Sequence, residues 1–259
     1  MEAGLERLRE LVHGAQRIVV FTGAGISTES GIPDFRGPNG IWTKIDPADF
    51  TIQAFLASAE GRRRYWRRSS DMYRQILASE PNAAHRAVAA LEEAGRLGAV
   101  VTQNVDGLHQ VAGNSPGKVI ELHGTAREIG CLSCGARTPR ERIQPRVDAE
   151  GNAPDCERCG GFLKPATISF GQALLPGVLE RAAEESERCD LFLVIGSSLQ
   201  VYPAAGFPLL AVERGVPLAI VNLQETPHDP HAEAVVRGVA GEVLPPIVNA
   251  LPIPRPLPV

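Results

Sequence analysis

Four of the chain's five cysteines fall into two tight pairs, Cys131-x-x-Cys134 and Cys156-x-x-Cys159, with 21 residues between them. Each pair can present two thiolates from one turn, and two such turns make the tetrahedral sulfur site that zinc prefers. Gly135 follows the first pair and Gly160-Gly161 the second, where such knuckles use backbone freedom. Four thiolates leave no open position for a reacting water, so the metal's role is structural. Two other readings stand beside this one. The pairs form disulfides or a redox dithiol, or they build a zinc ribbon that grips nucleic acid through Arg137, Arg140, Arg142 and Arg146. Cys189 stands apart at the start of an apolar run and reads as core. A second candidate is Thr22-Gly23-Ala24-Gly25-Ile26-Ser27, directly after a β-branched run. Gly23 and Gly25 there would let the backbone approach a pyrophosphate and turn its amides toward it. Thr28 replaces the third glycine of G-x-G-x-x-G, and Pro33, Gly37, Pro38 and Gly40 leave no strand–helix unit before Asp46. An ordinary dinucleotide dehydrogenase is therefore disfavoured. A plain strand-to-helix turn without a ligand is the competing reading of this loop.

These candidates need elements to position them. Compact apolar runs predict strands over 17–22, 99–102, 119–122, 189–197 and 218–222. Helices are expected over 81–97, opened by Pro81 and Asn82 and closed by Gly95 and Gly98, and over 179–188 and 204–214. Strands alternating with helices imply parallel crossovers, hence an α/β fold with a doubly wound parallel sheet. The stretch from 127 to about 165 breaks that rhythm. It holds both cysteine pairs, much Arg, Pro and Gly, and few large apolar residues, so it reads as an insert with its own staple. The helical, Arg-rich 46–80 joins it in a smaller lobe. The expected layout is a discontinuous large domain over 1–45, 81–126 and 165–250, and a small lobe over 46–80 and 127–164. The remaining 251–259 alternates Pro with apolar residues and is expected to leave the globule as an extended tail.

With 259 residues, 44% hydrophobic, 22% charged and a formal charge of −4, the chain is too apolar for disorder and can bury a large core. The acidic balance argues against direct nucleic-acid binding, and no apolar run reaches the roughly 18–20 residues of a membrane span. Leu5, Leu8, Leu11 and Val12 share one helical face among charged residues, which describes an amphipathic helix rather than a secretory signal. A cytoplasmic protein is expected, where paired thiols hold metal sooner than form disulfides. Of 26 basic residues only Lys44, Lys118 and Lys164 are lysines, and the arginine excess carries no functional reading.

Six motifs in order identify a family. Gly23-Ala24-Gly25-Ile26-Ser27, Gly31-Ile32-Pro33-Asp34-Phe35-Arg36, Thr102-Gln103-Asn104-Val105-Asp106, Glu121-Leu122-His123-Gly124, Gly196-Ser197-Ser198-Leu199 and Val221-Asn222-Leu223 resemble the sirtuins over roughly 11–246. Sirtuins also carry two Cys-x-x-Cys pairs. The resemblance implies a Rossmann-like doubly wound sheet with a smaller zinc-binding lobe formed by insertions. It implies NAD as co-substrate, one structural Zn2+ on Cys131, Cys134, Cys156 and Cys159, and acyl-lysine proteins as substrates. The implied activity passes ADP-ribose from NAD to the acyl oxygen, releasing nicotinamide, free lysine and O-acyl-ADP-ribose. His123 matches the catalytic histidine, and an unperturbed pKa of about 6.5 suits a base that takes a proton from a ribose hydroxyl. Asn104 is the second catalytic residue so implied.

By the same resemblance Gly23, Ala24 and Gly25 contact the cofactor, and Asp106 with Ile32 holds the nicotinamide carboxamide. Asp34, Phe35, Arg36 and Trp42 belong to a cofactor loop, in which Phe35 keeps water from the anomeric carbon. Gln103 and Asn104 lie on the ribose side, and Gly196, Ser197 and Ser198 at phosphate or ribose. Asn222, Leu223, Gln224 and Ala240 flank the adenosine. Ile168, Phe170 and Gly171, with Val201 opposite, line the acyl-lysine cleft, whose edges pair with substrate backbone.

The chain also departs from the family. Many sirtuins have two large residues before Gly-Glu where this sequence reads Ile168-Ser169-Phe170-Gly171-Gln172. Ser169 is expected either to widen the acyl space or to face outward. Sirtuins that remove succinyl or malonyl groups carry Tyr-x-x-Arg, a spacing present in Tyr65-Trp66-Arg67-Arg68. Counting back from Pro81-Asn82-Ala83-Ala84-His85, however, puts Trp66 at the tyrosine's place. Desuccinylation or demalonylation, and protein mono-ADP-ribosylation, are the alternative activities on this scaffold.

Overall fold

The computed structural model describes residues 2–38, 40–43 and 45–252. In the first half of the chain α1 spans Glu2–Gly14, β1 Ile18–Thr22, α2 Ile52–Ala57, α3 Ala59–Ala78, α4 Ala83–Glu93, β2 Leu97–Thr102, α5 Leu108–Val111 and β3 Val119–Glu121. Then follow β4 Gly124–Cys131, β5 Arg137–Pro139, α6 Arg140–Glu150, β6 Leu163–Thr167 and α7 Pro176–Arg188. The chain closes with β7 Leu191–Ile195, α8 Phe207–Glu213, β8 Leu218–Val221, β9 Ala234–Val236, α9 Ala240–Val243 and α10 Pro245–Val248.

β1, β2, β7 and β8 are buried at every residue, as strands covered on both faces must be. They form the middle of a six-stranded sheet in the order β3-β2-β1-β7-β8-β9, parallel at every pairing. Successive side chains alternate between its faces. Ile18, Val20, Val100 and Leu193 pack with Leu8 of α1, Val88 and Leu91 of α4 and Ile247 of α10. Val19, Phe21, Val101 and Phe192 pack with Ala182 of α7 and Ala211 of α8. The sheet is thus doubly wound, as expected, and its order reverses between β1 and β7. Open α/β sheets bind ligands at that reversal, beyond the carboxyl ends of the strands.

Around residues 127–164, for which the sequence signalled only a staple, residues 124–167 contain a second sheet, antiparallel, in the order β5-β4-β6. With α2, α3 and α6 it encloses a small core of Phe55, Trp66, Ile129 and Val147. Two cations share this interior: Arg140 and Lys164 are 1% and 2% exposed. Buried charge is costly unless partnered. The Arg140 guanidinium lies 4.3 Å from the Tyr73 ring centre and donates to Gln144 Oε1, while the Lys164 ammonium donates to the carbonyls of Pro165 and Thr167.

The helix expected over 81–97 stops at Glu93, because Gly95 turns the chain with φ 69°, and Leu97 and Gly98 instead begin β2. The other expected strands are each trimmed by one to four residues, and β9, three residues long after a polar loop, was not foreseen. Leu251, the first residue of the expected tail, is buried against the α10 cluster; residues 253–259 of that tail lie outside the described residues. No helix among the described residues is long and apolar enough to cross a membrane.

Candidate functional site

β1 and β7 end side by side, with Thr22 opposite Ile195. The loops that follow touch: the Gly23 amide donates to Ile195 O at 3.1 Å and the Gly25 amide to Gly196 O at 2.9 Å. A Cβ on Gly23 would sit 2.7 Å from Gly196 O, and one on Gly25 would sit 2.8 Å from Gly196 Cα. These glycines are therefore required by loop–loop contact at the switch point, whatever the loop binds. Beyond them 24–30 winds as a 3-10 helix that carries Ser27 inward. Ser197 Oγ accepts from Gln103 Nε2 at 2.7 Å and from the Leu199 amide. Leu199, at φ 51°, is the one non-glycine residue with positive φ among the described residues, so backbone strain is concentrated beside Ser198.

Asn104 and Asp106 follow β2 and are nearly buried, at 9% and 4% exposure. Asn104 Nδ2 donates to Gly23 O at 3.1 Å and to Ser27 Oγ at 3.2 Å, and Ser27 in turn donates to Asp106 Oδ2 at 2.8 Å. Burial pushes the Asp106 pKa up, against the pull of the Leu108 amide and the Ser27 hydroxyl. His123 leaves β3 with its Nδ1 3.0 Å from Gln103 O. A carbonyl only accepts, so Nδ1 carries the hydrogen and Nε2 keeps its lone pair. Burial holds the His123 pKa below its usual value, although the Gln103 bond works the other way. The Ile168 amide donates to His123 O at 2.8 Å, which brings the first of the expected acyl-side residues to the same point.

Under these groups lies a polar floor that sequence reasoning missed. It comprises Thr22, Thr102, His85 and His109, all at most 3% exposed. The His85 ring accepts from the Asn82 amide in a capping box at the start of α4, and its edge meets the His109 ring at 5.1 Å. Burial holds the two histidines down to about 4 and about 3, so both are neutral at pH 7. Ser27 stood inside a recognised motif and His85 inside a landmark, so both were in view; a buried histidine simply reads as core until its partners are known.

The aromatic candidates converge. Trp42 lies 5.1 Å from Phe35, 5.1 Å from Phe50 and 6.0 Å from Phe170, ring centre to ring centre. Phe170 bonds through its backbone to Phe50 and Ile52. Ser169 does not face outward, as one of its two expected placements had it. It is 7% exposed and turned into the lobe, with Oγ 3.3 Å from Tyr65 OH. Its amide donates to Gln172 Oε1 at 2.9 Å, so the two departures from the family pattern bond each other. Trp66 is core, Tyr65 OH is engaged by Lys164 and Ser169, and Arg68 pairs with Asp49 at 2.7 Å.

The remaining candidates spread outward. Ile32 donates to Ser27 O, Asp34 accepts from the Gly37 amide, and Arg36 is exposed. Gly171 turns the chain at φ 82° and Val201 is half-buried past Leu199. Asn222, with Nδ2 bonded to Gln224 O, follows β8 beside exposed Leu223, and Ala240 begins α9 after β9. His123 and Asn222 thus stand four strand spacings apart, roughly 19 Å. A span of that size, lined by a carboxylate, amides and hydroxyls and crossing the switch point, fits an extended dinucleotide rather than a compact ligand.

The four paired cysteines meet at the end of β4. Their sulfurs all lie within 4.8 Å of one another, with Cys131 Sγ 3.5 Å from Cys159 Sγ and Cys134 Sγ 3.8 Å from Cys156 Sγ. Tetrahedral zinc with Zn–S bonds of about 2.3 Å places sulfurs about 3.8 Å apart, so the set fits the ion. The thiols resist ionising together. The Cys134 amide above all holds Cys131 down to about 6, whereas neighbouring thiols push Cys159 up to about 12 despite the Gly161 amide. A divalent cation would remove that conflict.

The chain matches the Sir2 family over residues 23–203. It is 48% identical to "NAD-dependent protein deacetylase 2" of Streptomyces coelicolor, covering 92% of this chain and 99% of that protein. It is 44% identical to the "NAD-dependent protein deacetylase" of Rhodopseudomonas palustris, covering 96% and 98%. Among solved structures, a Sir2 protein with a p53 peptide and NAD+ superposes with a TM-score of 0.84 at 37% identity, covering 95% of this chain and 97% of that one. The matched stretch contains the switch-point loops, His123 and all four cysteines, and the likeness runs nearly end to end, so the chain belongs to the Sir2 family.

Proposed function

We propose that this protein is a NAD-dependent protein-lysine deacylase that yields nicotinamide, O-acyl-ADP-ribose and free lysine. The observation that carries the reading is His123, held neutral with Nδ1–H on Gln103 O and Nε2 bare, where the Ile168 backbone joins the end of the sheet. Bound NAD supplies the ADP-ribosyl group. His123 Nε2 takes the proton from a ribose hydroxyl, as its tautomer permits. Asp106 and Ile32 hold the carboxamide, and Asn104 and Gln103 orient the ribose. Ser27, bonded to both Asn104 and Asp106, keeps those two side chains at one spacing. Phe35 excludes water, backed by Trp42. Gly23, Ala24, Gly25, Gly196, Ser197 and Ser198 take the phosphates and adjoining ribose, Asp34 and Arg36 belong to the cofactor loop with Phe35, and Asn222, Leu223, Gln224 and Ala240 flank the adenosine. Ile168, Phe170, Gly171 and Val201 receive the acyl-lysine.

Zinc on the four thiolates holds the lobe's turns, and the layout of 46–80 with 127–164 as one lobe is supported by the shared core of Trp66, Ile129 and Val147. A cytoplasmic location and the absence of direct nucleic-acid binding complete the proposal. Carboxylated acyl groups are disfavoured because Arg68 and Tyr65 already have partners.

In an assay with acetyl-peptide and NAD, one nicotinamide is expected for each lysine freed. His123→Ala is expected to lower kcat by about 10²-fold or more while leaving the far-UV spectrum intact. Label from NAD accumulating on protein without O-acyl-ADP-ribose would replace this reading with mono-ADP-ribosylation.

A further inference from the structure

The expected acyl-side residues are anchored through their backbone at two points. The Ile168 amide donates to His123 O at 2.8 Å, at the end of the large sheet. The Phe170 amide donates to Phe50 O at 3.2 Å, and Phe170 O accepts from the Ile52 amide at 2.9 Å, on the side of the small lobe. Between these anchors Ser169 turns its side chain into the lobe, where Oγ lies 3.3 Å from Tyr65 OH. The same phenol oxygen lies 3.5 Å from Thr167 Oγ1 and accepts from Lys164 Nζ at 3.3 Å.

Lys164 is one of three lysines among 26 basic residues, and the residue type matters at this position. Its ammonium also donates to Pro165 O at 3.1 Å and to Thr167 O at 2.6 Å. Three hydrogens on one nitrogen thus meet three neutral oxygens, and none is left over. A guanidinium spreads its donors over a planar fork and would not converge on the same three acceptors. Because an unmet charged donor in an interior is costly, the full set of bonds fixes Lys164, and Lys164 fixes the Tyr65 oxygen. The Tyr65 ring is braced in turn by Phe55, edge-on at 5.1 Å between centres. Having accepted from Lys164, the phenol still has its own hydrogen to give, and Ser169 Oγ is the nearer of the two hydroxyl oxygens beside it. Burial alone would raise the Tyr65 pKa, yet the Lys164 charge and the Ser169 and Thr167 bonds bring it below its ordinary value.

We propose that Lys164 and Tyr65 are positioning residues for the acyl-lysine cleft: Lys164 fixes the Tyr65 hydroxyl, which holds Ser169 and so sets where Ile168 and Phe170 stand relative to His123. This rests on the reading of Ile168 and Phe170 as acyl-lysine contacts. A slack Ser169 would leave its two neighbours tied only through their backbones, and a reacting acyl group depends on walls that do not shift. The bonds of Lys164, Tyr65 and Ser169 run within the lobe and the acyl side, away from the switch-point loops. Their effect therefore falls on the peptide substrate and not on NAD.

Two variants cut the link at opposite ends. Tyr65→Phe keeps the ring against Phe55 and removes the hydroxyl, whereas Ser169→Ala leaves the Lys164–Tyr65 bond and removes its far partner. In hydrogen exchange followed by NMR, each is expected to speed exchange of the Ile168 amide about fivefold while the amides of β7 stay unchanged. Unchanged Ile168 exchange in either variant overturns the proposal whether or not the protein deacylates lysine. An inactive parent protein whose variants exchange as expected would instead count against the deacylase reading. In kinetics with an acetyl-lysine peptide, KM for the peptide is expected to rise about fivefold in each variant, with KM for NAD within about twofold of the parent. The double variant should be no worse than the single ones, because both cut one link. Peptide effects that multiply in the double variant, or a KM for NAD that rises as far as that for peptide, overturn the proposal. Should Tyr65→Phe fail to fold, Ser169→Ala carries the exchange and KM measurements alone, with the same expected and overturning results.

Discussion

In the six-stranded sheet β7 and β8 are apolar from end to end and β1 is polar only at its last residue, Thr22. In the lobe around the antiparallel sheet, the buried set includes Arg140, Lys164, Gln144 and two thiols beside a handful of large apolar side chains. Both interiors exclude water, but they are held differently. The large body spreads its stability over many side chains, each worth about 1.5–3 kcal/mol on burial. The lobe has few such contributions and carries two cations, so its stability must be concentrated at the four sulfurs. Chelation of the metal, or Cys134→Ser, should therefore have the largest effect of any single change. The lobe is expected to lose on the order of 10 kcal/mol of folding free energy while the sheet stays folded. In a Trp42→Phe background Trp66 reports the lobe alone, and its fluorescence transition should precede the far-UV one. Coincident transitions, unmoved by chelator, would mean that the lobe's core suffices without metal.

Acid should attack the other half of the molecule. His85 and His109 lie beneath the sheet's carboxyl edge, held down to about 4 and about 3 by burial, against about 6.5 in an unfolded chain. Below pH 6.5 the unfolded state takes up protons that the folded state refuses. Stability therefore falls as pH drops from about 6.5 toward 4, by up to about 1.4 kcal/mol per pH unit for each histidine, and levels off below the folded values. Urea titrations across this range measure the slope directly. His109→Gln should remove one histidine's share of it, and an unchanged slope would show that other groups titrate there.

This division also explains what was legible in the sequence. The buried parallel strands announce themselves, because a run such as Leu191–Ile195 has one reading at that length. The cysteine spacing likewise led directly to a cluster whose sulfurs meet within bonding range of one ion. Within the lobe the pattern failed: β5 is three residues long, α6 contains Pro145, and β6 carries a buried lysine, each contrary to local rules. Such exceptions depend on partners distant in sequence, Tyr73 for Arg140 and Tyr65 for Lys164, which no local pattern encodes. At the site, motif matching found the groups that line the crevice, and the structure brings Asn104, Asp106, His123 and Ser197 to one edge. It did not find the floor of Thr22, Thr102, His85 and His109, whose significance lies in bonds to one another. Ser169 belongs with them: its hydroxyl serves Tyr65 on the lobe side, a direction that residue type alone does not set.

The smallest effect expected is at Arg140, and it bears on the comparison most finely. Its guanidinium stacks 4.3 Å from Tyr73, donates to Gln144 Oε1 at 2.8 Å, and leaves one nitrogen, NH2, buried without a partner. Burial holds its pKa down to about 10, a sign that the charge is poorly compensated where it sits. Arg140→Met would keep the packed stem beside Trp66 and remove the charge together with its orphaned donor, at the loss of the stacking and of the bond to Gln144. Hydrophobic replacement of buried charges is often neutral or stabilising, so a change within about 1 kcal/mol is expected, against about 3–5 kcal/mol for Trp66→Ala in the same core. Chemical denaturation of the metal-loaded protein, followed by Trp66 fluorescence for Arg140→Met and far-UV dichroism for Trp66→Ala, measures both. A loss above about 3 kcal/mol for Arg140→Met would make the cation an anchor in its own right, and the lobe would then stand on two supports rather than on its sulfurs alone.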